Sequence, residues 1–355
     1  MNPSGLAELP LHSGRAPKWL FSRMKSLGKE IIRIIVREYG RRELLLRLGD
    51  PCWFQSLGCL LGYDWHSSGV TTVLTAVIRE ALEELDVGVA LAGGKGRRSL
   101  NVPEELPRKA ESLGLSFDKT EELLKISFMA AKVDNAVLQD GYSIYHHTIV
   151  FSEDGYWVVV QQGMNPDNRL ARRYHWTWLL TDNPVVEPHS GIVCNRREKE
   201  VLNLTSRLSE ENRRASLDLI KEGPKRLRRI FREVYYNPEG LSPFLGESPK
   251  VLVMPRRIDW KAVERAYELD PESYEELVSI RGIGPSLLRA LSLTAEVIHG
   301  AEASRRDPVR FSFAFGGKDG VPYPVNVRRM DEVIEILRSD ELTSKLLRKA
   351  TLKNY

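Results

Sequence analysis

Apolar residues recur at threes and fours through residues 17–48, which predicts amphipathic helices opened by Pro17 and stopped by Gly49. The same spacing predicts a helix over residues 70–85, with Ser67 or Ser68 placed to cap it. Leu91 to Ser99 gathers three glycines and three cations and reads as a flexible basic loop; Lys95 is followed by Gly96, so the Walker phosphate-loop pattern is absent. Another helix is expected around residues 119–139, after which the period changes to two. Residues 142–151 and 156–162 are rich in β-branched and aromatic side chains and flank Ser152-Glu153-Asp154-Gly155, so they predict a β-hairpin, with a further aromatic strand at residues 172–180. Helical spacing returns from about 195 to 235, and three prolines mark residues 237–250 as a linker. The expectation is an α+β protein: a mixed domain over residues 1–190, a basic helical segment at 195–236, and a helical C-terminal domain at 250–355.

At 355 residues, 42% hydrophobic and 28% charged with mean hydropathy -0.31, the chain has enough apolar surface for two or three packed units. No apolar run reaches the roughly 18 to 20 residues of a spanning helix, and the first residues lack a signal peptide's pattern, so a cytoplasmic protein with no membrane partner is expected. Cys52, Cys59 and Cys194 match no zinc spacing and read as buried thiols. With 35 Arg, 17 Lys and four Gln, the chain leans toward a thermophile's composition. Net charge is +4, but residues 1–190 carry 22 cations against 23 acids, so the positive excess lies in the second half.

Two segments there concentrate it. In residues 223–236, Lys225, Arg228, Arg229 and Arg232 share one helix face while Leu227, Ile230, Phe231 and Val234 share the other, either a phosphate-tracking stripe or a solvated face. In residues 277–291, a short helix, Gly282-Ile283-Gly284 and a helix opened by Pro285 form the helix-hairpin-helix pattern of sequence-independent DNA binding. The glycines admit a close phosphate, and the helix N-terminus offers free N–H groups. Ile283 plugs the hairpin, and Arg281 and Arg289 add charge. Asp307 lies 23 residues after Gly284, near the spacing of the catalytic Asp in helix-hairpin-helix DNA glycosylases, yet the flanking Gly/Pro and Val-Asp elements of those repair enzymes are missing.

Six of seven histidines lie in the first 190 residues. Asp64 neighbours His66, and Glu187 lies two residues from His189. A hairpin turn at Glu153-Asp154 sets His146 against Gln161, and one at Asp154-Gly155 sets His147 against Gln162. Polar pairs within otherwise apolar strands suggest a site, to which His175 adds another imidazole. Upstream, Asp134 and Asp140 are candidate ligands for Mg²⁺ or Mn²⁺, with His146 or His147 as base or third ligand and Lys132 stabilising developing charge; Lys95, Arg97 and Arg98 steer phosphates. This pattern predicts a metal-dependent nuclease acting on DNA. The competing reading is a non-catalytic DNA-binding or scaffolding protein whose histidine-rich strings build a rigid core or a homodimer interface.

The strings at residues 9–24, 50–72, 129–147, 158–165, 171–176 and 313–326 resemble the domain-of-unknown-function 763 family, whose members occur largely in archaea and thermophilic bacteria. The resemblance covers nearly the whole chain. It implies a DNA-processing role, with metal-dependent nuclease activity foremost, and assigns no catalytic residue.

Overall fold

The computed structural model describes residues 16–63, 68–180, 183–194, 197–236, 253–310 and 327–338. Helix α1 (Lys18–Gly49) is kinked at Gly40, whose φ of 83° no helix interior tolerates. Asp50 then starts α2 (Pro51–Leu60): its carboxylate accepts the Cys52 N–H at 2.7 Å, and Pro51 fills the first helical position. Helix α3 (Gly69–Glu83) follows Ser68, whose hydroxyl makes no cap; Ser67 lies outside the described residues. Next come β1 (Val89–Lys95), α4 (Val102–Ser112), α5 (Phe117–Lys132), a π-helical turn (Val133–Val137) and β2 (Leu138–Gln139).

Strands β3 (Ser143–Ser152), β4 (Trp157–Asn165), β5 (Leu170–Thr177) and β6 (His189–Val193) complete an antiparallel sheet of order β1-β3-β4-β5-β6. A short β7 (Leu202–Asn203) pairs with β2, and helices α6 (Glu210–Lys221), α7 (Pro224–Tyr236), α8 (Trp260–Leu269), α9 (Tyr274–Ser279), α10 (Pro285–His299) and α11 (Val327–Arg338) follow. The architecture is α+β.

The sheet is the middle layer. Val158 and Val160 pack into one core with Leu45 of α1, Phe54 of α2 and Leu74 of α3, while Trp157, Val159 and Trp176 pack into another with α4 and α5. That second core continues through Leu219 of α6, Leu227 of α7, Val263 of α8, Leu277 of α9 and Leu288 of α10. With both faces covered, β4 loses the alternation of a half-solvated strand and reads as an apolar run ending in two glutamines.

Two sequence expectations are corrected. The β3–β4 turn uses three residues, Glu153 to Gly155, with Gly155 left-handed at φ 81° and the Ser152 N–H donating to the Tyr156 carbonyl at 3.0 Å. The register therefore shifts, pairing His146 with Gln162 and His147 with Gln161. The supposed loop at Leu91–Ser99 is instead the end of edge strand β1 running into a 3-10 helix (Gly96–Asn101). Of its glycines, Gly93 serves close approach: it pairs with Thr148 at φ 94°, where a Cβ would sit 2.3 Å from the His147 carbonyl oxygen.

Gly93→Ala is expected to lower stability by more than the roughly 1–2 kcal/mol of a left-handed alanine, because backbone must also move. Gly96→Ala, with φ 61° but open space around the added carbon, should cost only that conformational part. Thermal unfolding of the two variants measures the difference.

Candidate functional site

On the α5 face, the π turn carries Asp134 beneath β4, β5 and β6, where it is fully buried. One carboxylate oxygen accepts from His189 Nε2 at 2.5 Å; the other accepts from Trp176 Nε1 at 3.0 Å and from the Gln161 amide. The same amide nitrogen donates to the Ala130 carbonyl at 2.9 Å, and since both partners are acceptors the amide orientation is fixed. Gln161 Oε1 therefore takes the Nδ1 proton of His147 at 2.7 Å, and His147 Nε2 accepts from Ser127 Oγ at 2.7 Å. Burial pushes His147 toward its neutral form. A chain of polar groups thus runs from Ser127 through His147, Gln161 and Asp134 to His189.

Beside it, Arg172 is buried between two carboxylates. Its guanidinium forks onto Asp307 at 2.7 and 3.1 Å and donates to Asp140 at 2.8 Å, with its centre 4.4 Å from the Tyr142 ring. Burial opposes the charge, but Asp140 and Asp307 outweigh it and hold Arg172 protonated. Asp140 also accepts from the Tyr174 hydroxyl at 2.7 Å and the Tyr142 N–H at 3.1 Å; Asp307 accepts the N–H groups of Glu198 and Val309. Arg172→Met, which strands both carboxylates, should cost about 3–5 kcal/mol in chemical denaturation. Arg23→Met, which removes the exposed pair with Asp331, should cost under about 1 kcal/mol.

The opposite sheet face has its own polar system under α1–α3. His146 Nε2 lies 3.1 Å from Thr75 Oγ1, whose proton goes to the Thr71 carbonyl, so His146 donates and its Nδ1 is left unpaired. Gln162 bonds the Ser68 carbonyl, Thr71 and Tyr145. Arg173 is buried against Gln55 and His175 with its guanidinium 4.7 Å from the Phe54 ring, and burial pulls it down to about 9. Burial, aided by His147 and Lys95, pulls His146 down to about 3. Between that value and the unfolded value near 6.5, the unfolded chain takes a proton the folded chain refuses, so stability falls as pH drops below 6.5. His146→Gln should remove up to about 1.4 kcal/mol per pH unit of this slope, read as a shallower fall of Tm from pH 6.5 to 4.5.

A cavity of about 270 Å³ opens beside His189 and Asp307, walled by Thr205, Ser206, Leu208, Arg306 and Arg310 among others. Glu187 at its rim holds a left-handed φ of 43°. Elsewhere, the 280–284 hairpin sits with Ile283 buried and Arg281 and Gly282 exposed. Carbonyls in and just after it are tied to residues that flank the π turn: Lys132 Nζ donates to the Ile283 carbonyl and Gln139 Nε2 to that of Pro285 at 2.8 Å.

A family model described as "Protein of unknown function (DUF763)" matches residues 5–325. The chain belongs to the DUF763 family. Comparisons with curated proteins and with solved structures gave no match.

In this DUF763 chain the expected metal constellation is not assembled. His146 lies on the opposite sheet face from Asp134, Lys132 points to the hairpin, and Asp134 and Asp140 are surrounded by N–H and O–H donors. Among the described residues no three His, Cys, Asp or Glu side chains are grouped so as to hold a metal ion. Asp307 is committed to Arg172, which removes the free carboxylate a glycosylase would need. Asp64 and His66 lie outside the described residues. His175 is structural, its Nδ1 donating to the Leu48 carbonyl at 3.2 Å, and Glu187 pairs with Arg207 rather than His189. Cys194 is buried, whereas Cys52 and Cys59 are half-buried. Lys95, Arg97, Arg98, Lys225, Arg228, Arg229 and Arg232 are exposed, and Arg289 is half-buried. No described helix is long and apolar enough to cross a membrane.

Sequence reading passed over Arg172, Arg173, Tyr174 and Trp176. The available signal was two adjacent arginines inside an aromatic strand: alternation sends one to each face, and each needs partners there.

Proposed function

We propose that this protein binds DNA by its phosphate backbone, without reading sequence, through the 280–285 hairpin. The observation that carries this reading is Gly284. Its φ of -132° is extended backbone open to any residue, and a Cβ there would meet nothing nearer than the Gly282 carbonyl oxygen at 3.9 Å. The fold makes no demand for glycine at this position. A phosphate approaching the start of α10 does, because any side chain would stand in its path.

The donor set agrees. Gly284 precedes α10 without a side-chain cap, which leaves the first-turn N–H groups and the positive end of the helix dipole for an anion. Gly282, by contrast, is held by the fold, at φ 95° with a Cβ position 2.9 Å from Ala262. Arg281 is exposed beside the turn. Helix α7 packs against α8 and α10, with Arg228 4.7 Å from the Trp260 ring, so the exposed stripe of Lys225, Arg228, Arg229 and Arg232 belongs to the same helical cluster. Strand cleavage is no part of this reading, since Asp134 and Asp140 are buried and each already accepts three internal hydrogen bonds.

Gly284→Asp separates a structural hairpin from a binding one. Aspartate is a good N-cap, so thermal stability should hold or rise slightly. The added carboxylate repels phosphate, so affinity for duplexes of unrelated sequence should fall by about tenfold or more, roughly 1.4 kcal/mol, at one salt concentration. Unchanged affinity would mean that the hairpin only packs against protein.

A further inference from the structure

The cavity beside β6 has a charge balance that points to a ligand. Its two acids are already paired: Asp307 with the Arg172 fork, which Asp140 shares, and Glu187 with the exposed Arg207 at 3.5 Å. Its two arginines are not. Among the described residues, neither the Arg306 nor the Arg310 side chain has a hydrogen bond or an ion pair, and both are exposed at the rim. The cavity floor includes His189, a side chain only 6% exposed. Its Nε2 is committed to Asp134, and among the described residues Nδ1 makes no hydrogen bond.

The wall is rigid before any ligand arrives. The Arg306 carbonyl accepts from Asn203 Nδ2 at 3.1 Å, its N–H donates to Ser304 Oγ at 3.3 Å, and the next residue, Asp307, is clamped by Arg172. Asn203 Oδ1 simultaneously fixes the turn of Thr205 and Ser206 opposite. Glu187, bonded through its N–H to the Thr205 carbonyl at 2.9 Å, keeps a strained left-handed backbone at the rim. Leu208 stands 70% exposed at the same rim and offers an apolar surface.

We propose that this cavity binds a phosphate monoester carrying a nucleoside-sized organic group. The two guanidiniums match the dianion, and Leu208 with Ile192 receives the organic part. About 270 Å³ lies just under the roughly 300–1,000 Å³ of drug-sized pockets, which admits one nucleotide and excludes a passing duplex. The chemistry is shared by a free mononucleotide and by the 5′-phosphorylated end of a strand. The inference does not depend on the hairpin.

Calorimetry on the full chain tests it with deoxyadenosine 5′-monophosphate, deoxyadenosine, and one single-stranded hexanucleotide with and without its 5′-phosphate. The oligonucleotides are titrated into Gly284→Asp protein, so that loss of hairpin binding and loss of cavity binding read separately. The expected result is at least a tenfold preference for each phosphorylated ligand over its unphosphorylated counterpart, abolished by Arg306→Ala with Arg310→Ala. Both arginines are exposed, so the double variant should keep its melting temperature. Tighter binding of the mononucleotide would assign the site to free nucleotides, and tighter binding of the oligonucleotide would assign it to strand ends. No preference for phosphate in either pair, or a preference that survives the double substitution, would overturn the proposal.

Discussion

A sheet covered on both faces must satisfy every polar side chain it carries from within, and this constraint shapes the molecule. Strands β3, β4 and β5 bear two histidines, two glutamines and two arginines at one end, all buried. Water is not available to them, so each needs a protein partner at hydrogen-bond distance. Pleating divides the six into two sets. His147, Gln161 and Arg172 look toward α5 and the C-terminal helices; His146, Gln162 and Arg173 look toward α1, α2 and α3.

The two sets are solved differently. On the α5 face, the partners include Asp134, Asp140 and Asp307, so Arg172 keeps its charge and the segment after α10 is anchored to the sheet. On the other face the partners are hydroxyls, carbonyls and a ring. Arg173 has no carboxylate there, and its proton is correspondingly less tightly held. Neighbouring residues of one strand thus live in unlike electrostatic surroundings a sheet's thickness apart.

Much of the fold was legible in the sequence because its signals are local. The period change near residue 140 located the hairpin, and Pro285 located the start of α10 to the residue. What was not legible depended on distance or on close approach. A third residue in the β3–β4 turn altered the register, and glycines that look like a mobile loop proved to be an edge strand pressed against His147. Asp134 stood out in the sequence as a candidate metal ligand; the partners it has in the fold, Trp176 and His189, lie 42 and 55 residues on, and no periodicity announces them. Asp307 is 135 positions from Arg172, a separation across which sequence spacing carries no information.

The π turn has one more consequence. Lys132 precedes it and Gln139 follows it, and both grip carbonyls of the 280–285 hairpin, while Asp134 inside it grips His189 at the cavity. The five residues between Val133 and Val137 therefore act as a strut with the hairpin on one side and the cavity floor on the other. An extra residue in a helix is normally a packing irregularity; here it sits between the two side chains that hold the hairpin and carries the carboxylate that holds His189.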